Sequence, residues 1–195
     1  MNAVVDWILH FLLRQNVIDN DEDSIDYCKY GIEITISSFL NVLLILLIGL
    51  IFSLVLHSVV FLLIFINMRR YTGGYHASTY IRCNMVLCIS FTALCIMMKV
   101  LVSLSYYILL VLVIVIHIFG FLITILFAPL ENENKPLNEE TKRTNRIKSV
   151  VFSIVIFMIN LVLLVFHFKI SIMIALTVLL VAILMVIKIV KEGKS

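Results

Sequence analysis

Charge is scarce in this 195-residue chain: Asp, Glu, Lys and Arg make up 14% of it, where a soluble domain carries about 25%. Hydrophobic residues account for 63%, too much apolar surface for so few charges to cover in water, so the chain reads as an integral membrane protein. Two prolines and six glycines argue against a loop-rich or disordered chain. Four cysteines are too few for a disulfide-stapled secreted domain, and three of them border or sit within apolar runs. No second His or Cys pair stands at ligand spacing, so no metal site is expected and no cofactor is implied. The net charge of +3 is small and points to no nucleic-acid partner. Where the charges fall matters more than their sum.

Apolar runs cover residues 34–56, 59–68, 83–102, 106–127, 150–168 and 170–187. A helix needs about 20 residues to cross a ~30 Å hydrocarbon core. The run 59–68 is short, and crosses only by borrowing His57, Ser58 and the residues around Arg69 through snorkelling; otherwise it is a buried half-helix. If all six cross with a cytoplasmic N-terminus, every Lys and Arg except Lys99 and Lys169 lies inside, as the positive-inside rule favours. If 59–68 does not cross, Arg14 and Lys29 move outside as well. Both topologies put 69–82 and 128–149 in the cytoplasm. The expected architecture is therefore all-α: a polytopic transmembrane bundle of about six segments, one of them short, forming a single integral membrane domain over 1–195. Within it, 1–29 reads as an interfacial amphipathic helix, or equally a fraying terminal helix packed on the bundle, followed by an acidic linker. Asp6, His10 and Arg14 recur every four residues along one face, while Trp7, Ile8, Phe11 and Leu12 lie on others. A basic start and a small-residue cleavage site are both missing, so no cleaved signal sequence is expected there.

Chemistry concentrates between the second and third runs, where residues 68–83 read MRRYTGGYHASTYIRC. Gly73-Gly74 permits a sharp turn. His76 and Cys83 are a candidate base and nucleophile: the thiolate is the reactive form, an imidazole can take the proton, and guanidinium charge from Arg69, Arg70 and Arg82 favours an anion. On one straight helix these two residues would be about 10.5 Å apart along the axis, beyond hydrogen-bond reach. The pairing therefore requires a chain break between them, with Ser78 or Thr79 as a possible cap for the helix that follows. A His and a Cys at this spacing are also compatible with plain structural roles, and the arginines with lipid phosphates. Cys88 and Cys95 read as packing residues, Cys28 has no visible partner, and His57, His117 and His167 read as packed or interfacial. Glu33 and Asn41 are polar groups in or near lipid, explicable by function or by helix contacts.

Arg70, Gly73-Gly74, His76 and Cys83 form the pattern R-x-x-G-G-x-H followed seven residues later by C. With the loop Ala128-Pro129, Lys135-Pro136-Leu137 and the basic cluster Lys142, Arg143, Arg146 and Lys148, the chain resembles the accessory gene regulator B (AgrB) family. These are membrane cysteine endopeptidases of Gram-positive quorum sensing. The resemblance implies His76 and Cys83 as the catalytic pair, with Arg69, Arg70, Gly73, Gly74 and Arg82 in support. It also implies as partner a small membrane-associated, AgrD-like precursor peptide, which loses its acidic tail through a thioester on Cys83 and closes into a thiolactone or lactone. A multi-pass cell-membrane location and a homodimer are further expectations of the family. Two competing readings are a membrane transporter or exporter and a non-catalytic scaffold. The first predicts intramembrane ion pairs or matching helix breaks in two halves, and apart from the short second run neither is visible.

Overall fold

The computed structural model describes residues 2–15, 17–18, 21–73, 80–130 and 138–192. Among these residues the regular elements are all α-helices: α1 (Asn2–Arg14), α2 (Glu22–Ile51), α3 (Val55–Thr72), α4 (Tyr80–Leu101), α5 (Tyr106–Phe127), α6 (Glu139–Phe166) and α7 (Phe168–Glu192). Helices α2 to α7 are each long and apolar enough to cross a membrane. A multi-pass membrane protein follows, because only a segment that satisfies its own backbone hydrogen bonds can stand in hydrocarbon.

Two boundaries differ from the apolar runs. The run 34–56 contains a turn: α2 stops at Ile51, Ser53 takes a positive φ of 58°, and the Leu54 N–H bonds back to the Gly49 carbonyl at 2.6 Å. Hydropathy is blind to this turn because Phe52 and Leu54 are as apolar as the helices they separate. The short run 59–68 extends in both directions to the 18 residues of α3. That is about 27 Å of helix, enough to span with its polar ends at the interface. At 30 residues, α2 is about 45 Å long, so its acidic start projects beyond the apolar layer. Asp21 caps that start, its carboxylate accepting from the Ser24 N–H at 3.0 Å.

The organising element is α7. From Ile172 to Met185 it is buried on nearly every side, against α3, α4, α5 and α6, as a helix apolar all round must be if it is central. Between lipid and helix there is little hydrophobic driving force, so close packing and small residues carry association. Gly120 of α5 shows this: a Cβ there would stand 2.6 Å from Val178 Cγ1 of α7. On the α3–α4 side, Phe61 stacks with Phe65 at 5.2 Å and meets Phe91 at 4.6 Å.

Side-chain contacts define two ends. At one, Lys99 at the close of α4 lies over the Phe52 ring in the α2–α3 turn. At the other, the Leu130 N–H donates to the Thr72 carbonyl at 2.9 Å and Lys148 sits over the Tyr71 ring. Helix α1 lays Val5 and Leu9 in buried positions and contacts α2, leaving Trp7 and Phe11 exposed and stacked on each other. Asp6, His10 and Arg14 are exposed on a neighbouring face.

Candidate active site

Gly73 closes α3 with φ +71° and ψ −152°, a region open almost only to glycine. A Cβ there would overlap the Leu130 carbonyl oxygen. The glycine thus lets the end of α3 lie against the segment that leaves α5, and the Thr72–Leu130 hydrogen bond closes the contact. The Arg146 guanidinium donates to the Ile125 carbonyl at 3.3 Å, tying α6 to the last turn of α5. The end of α3 at 71–73, residues 128–130, and Arg146 and Lys148 of α6 therefore meet at one end of the bundle.

Cys83 lies in the first turn of α4 and is partly exposed. It opens on a cavity of about 40 Å³ between α3, α4 and α7. Cys83, Val86, Leu87 and Ser90 form one wall, at the i, i+3, i+4, i+7 positions of a single α4 face. Phe65 and Arg69, one turn apart on α3, form the second wall; Leu180 and Leu184, one turn apart on α7, form the third. The Arg69 guanidinium stacks 5.5 Å above the Phe65 ring, an arrangement that holds a cation over an apolar floor. Beside Cys83, Asn84 fastens α4 to α2: its Oδ1 accepts from Asn41 Nδ2 at 2.8 Å and from Ser37 Oγ at 3.1 Å. Asn41 thus belongs to a helix contact.

Of the residues the sequence singles out, Cys83 and Arg69 share this cavity and Gly73 shapes the adjoining turn. Arg70 and Arg82 are exposed and do not line it. Gly74 and His76 lie outside the described residues; α4 begins at Tyr80. Within the basic cluster, Arg146 and Lys148 have structural contacts, and Lys142 pairs with Glu139 at 3.9 Å. All four cysteines are free of disulfides. His117 is remote from Cys83, buried in α5, where Nδ1 meets the Val113 carbonyl at 2.9 Å and Nε2 meets Asn160 Nδ2 at 3.4 Å. These contacts fit a neutral imidazole protonated on Nδ1 and accepting at Nε2. Sequence reasoning missed the α7 wall, since nothing local links Leu180 and Leu184 to a cysteine a hundred residues earlier. The α4 wall was within reach, by counting along the helix face from Cys83.

A sequence model of the family described as accessory gene regulator B matches residues 5–187. The chain belongs to the AgrB family. It is similar to an AgrB-like protein 2 of Clostridium perfringens strain 13, 27% identical over 131 residues, which are 65% of this chain and 60% of the relative. An AgrB-like protein of Listeria monocytogenes strain EGD-e is 27% identical over 148 residues, 74% of this chain and 69% of that one. The match to the Clostridium relative thus spans about three-fifths of its length. No solved structure matches the chain.

Proposed function

We propose that this AgrB family member is a membrane-embedded cysteine endopeptidase that processes a small, membrane-associated, AgrD-like precursor peptide for quorum sensing. The observation that carries the reading is the Cys83 thiol, in the first turn of α4, opening with Arg69 on a cavity at the end of the bundle where the family's motifs gather. The end bearing Cys83 also holds Arg69, Arg70, Arg82, Arg143, Arg146 and Lys148, whereas Lys99 and Lys169 sit at the opposite helix ends. By the positive-inside rule the Cys83 end faces the cytoplasm, where a newly made precursor is found. The segments 69–82 and 128–149, which include the end of α3 and the starts of α4 and α6, are then the catalytic and charged segments of one membrane domain.

In the reaction, the Cys83 thiolate attacks the carbonyl carbon joining signal core to tail. A C–S bond forms and the carbonyl oxygen takes the charge. Arg69, which lines the cavity with Cys83, stabilises that oxyanion. Collapse breaks the C–N bond, and the leaving amine nitrogen takes a proton from His76. An internal thiol or hydroxyl of the peptide then gives its proton to His76, bonds to the same carbonyl carbon and expels Cys83 as thiolate. A thiolactone or lactone results, and exchange of one thioester for another is close to neutral in free energy.

The test is tail release from the co-encoded precursor in membranes carrying wild-type, Cys83→Ser, Cys83→Ala or His76→Ala protein, with mass spectrometry of the Cys83 peptide. Wild type is expected to release tail and show an acyl adduct on Cys83. The substitutions are expected to abolish both at equal expression. Undiminished release by Cys83→Ala refutes the reading.

A further inference from the structure

The cavity below Cys83 has a polar mouth and a mostly apolar interior, with Ser90 as the one polar residue deeper on its α4 wall. Arg69 and Cys83 stand at its head, while Phe65, Val86, Leu180 and Leu184 enclose the space beneath. From Cys83 to Ser90 the α4 wall descends about 10.5 Å toward the middle of the bundle. An acyl group held on the Cys83 sulfur places the side chain of its own residue one bond from the carbonyl carbon, and this cavity adjoins that position. Its size limits what enters. One water requires roughly 10–15 Å³ of such space, so about 40 Å³ receives about three or four non-hydrogen atoms. That matches the side chains of Val, Leu, Ile or Met and falls short of an aromatic ring. A carboxylate or ammonium would lose most of its hydration against these walls, where beneath the mouth Ser90 is the only polar side chain.

We propose that this cavity is the specificity pocket of the reaction, taking an aliphatic side chain on the precursor residue immediately before the scissile bond, with Leu180 and Leu184 of α7 setting its depth. The proposal rests on the peptidase reading above. It assigns to α7, the helix furthest in sequence from the Cys83 loop, the selection of substrate.

The test uses the full chain in lipid vesicles and a precursor series carrying Ala, Val, Leu, Phe or Asp at that residue, with kcat/KM for tail release as the readout. Each methylene that fills an apolar pocket is worth roughly 10-fold to 200-fold in such a ratio. Wild type is therefore expected to prefer Leu over Ala by at least about 10-fold and to reject Asp. Leu184→Ala is expected to move the optimum toward Phe, and Leu180→Phe toward Ala. A Cys83-dependent release with the same ranking in all three proteins, or a flat ranking in wild type, overturns the pocket and leaves the peptidase reading standing. No Cys83-dependent release from any peptide overturns both. A second measurement requires no turnover and no peptide: conversion of the Cys83 thiolate to a mixed disulfide by methyl and isobutyl methanethiosulfonate, with methanesulfinate leaving, followed by mass spectrometry. Leu184→Phe is expected to slow the isobutyl reagent selectively. An unchanged ratio of the two rates in a variant that unfolds at the wild-type temperature counts against the pocket.

Discussion

Replacing Gly73 by alanine tests the joint between α3 and the segment after α5. A non-glycine residue at φ +71° and ψ −152° costs about 1–3 kcal/mol in backbone strain. Its Cβ would also overlap the Leu130 carbonyl, so the two segments must part. Parting them sacrifices the Thr72–Leu130 hydrogen bond, worth about 0.5–1.5 kcal/mol net. The expected loss is about 2–4 kcal/mol in all. Gly31→Ala is the control: Gly31 lies within α2 with nothing near its virtual Cβ, and alanine there is expected to be neutral or to stabilise by up to about 1 kcal/mol. The assay is reversible unfolding by denaturing detergent in mixed micelles, together with hydrogen exchange at the Leu130 amide. Because each 1.4 kcal/mol is a factor of ten, exchange there is expected to accelerate by roughly 30-fold to 1,000-fold in Gly73→Ala. Equal midpoints for the two variants, with Leu130 protected as in wild type, would refute this account of the glycine.

Two other substitutions probe how α2 meets its neighbours. Asn84→Ala removes the acceptor shared by Ser37 and Asn41 and leaves the Asn41 amide wholly unpaired, since its Oδ1 already lacks a partner. At about 0.6–1.7 kcal/mol per interhelical bond, a loss of about 1–3 kcal/mol in detergent unfolding is expected, whereas Ser37→Ala loses less. The cap at the start of α2 gives a pH effect of definite sign. Hydrogen bonds from the Ser24 side chain and backbone hold the Asp21 carboxyl below its usual range. Its contribution is therefore fully present above the unfolded value near ~3.9 and is lost as pH falls through the lower folded value. Exchange at the Ser24 amide, corrected for intrinsic rate, is expected to lose protection at acid pH in wild type. Asp21→Asn, an uncharged cap of similar strength, is expected to show little such dependence, and Asp21→Ala to lack the protection throughout. A wild-type pH profile matching that of Asp21→Asn would contradict this.

Much of the fold is legible along the chain, and the places where it is not have identifiable causes. Five of the six spans follow from runs of apolar residues, while α3 reads as doubtful because His57-Ser58 and Arg69-Arg70 bound a short apolar run, 59–68. In the structure Arg69 lies over Phe65 rather than ending the helix. The turn at 52–54 escapes because apolar residues make it. The break at His167 separates α6 from α7 with a single residue, its N–H bonding to the Leu163 carbonyl at 2.7 Å, and Lys169 between the last two apolar runs marks it to within two residues. At the site, Gly73 and Cys83 stand out in sequence as a turn former and a nucleophile. The contact that requires the glycine is with Leu130, well outside the motif.

Membrane character and the approximate positions of the apolar segments are determined by sequence alone, whereas the length of the second segment emerged only with α3. Insertion depends on the summed transfer of about 20 neighbouring residues, a quantity that needs no knowledge of the rest of the chain. Which helix stands in the centre, and which side chains close around the Cys83 sulfur, only the tertiary structure decided. All six helices are apolar enough to cross lipid, so their arrangement depends on close fit at particular points, such as Gly120 against Val178. Such a fit is a property of pairs of surfaces and cannot be summed along a chain.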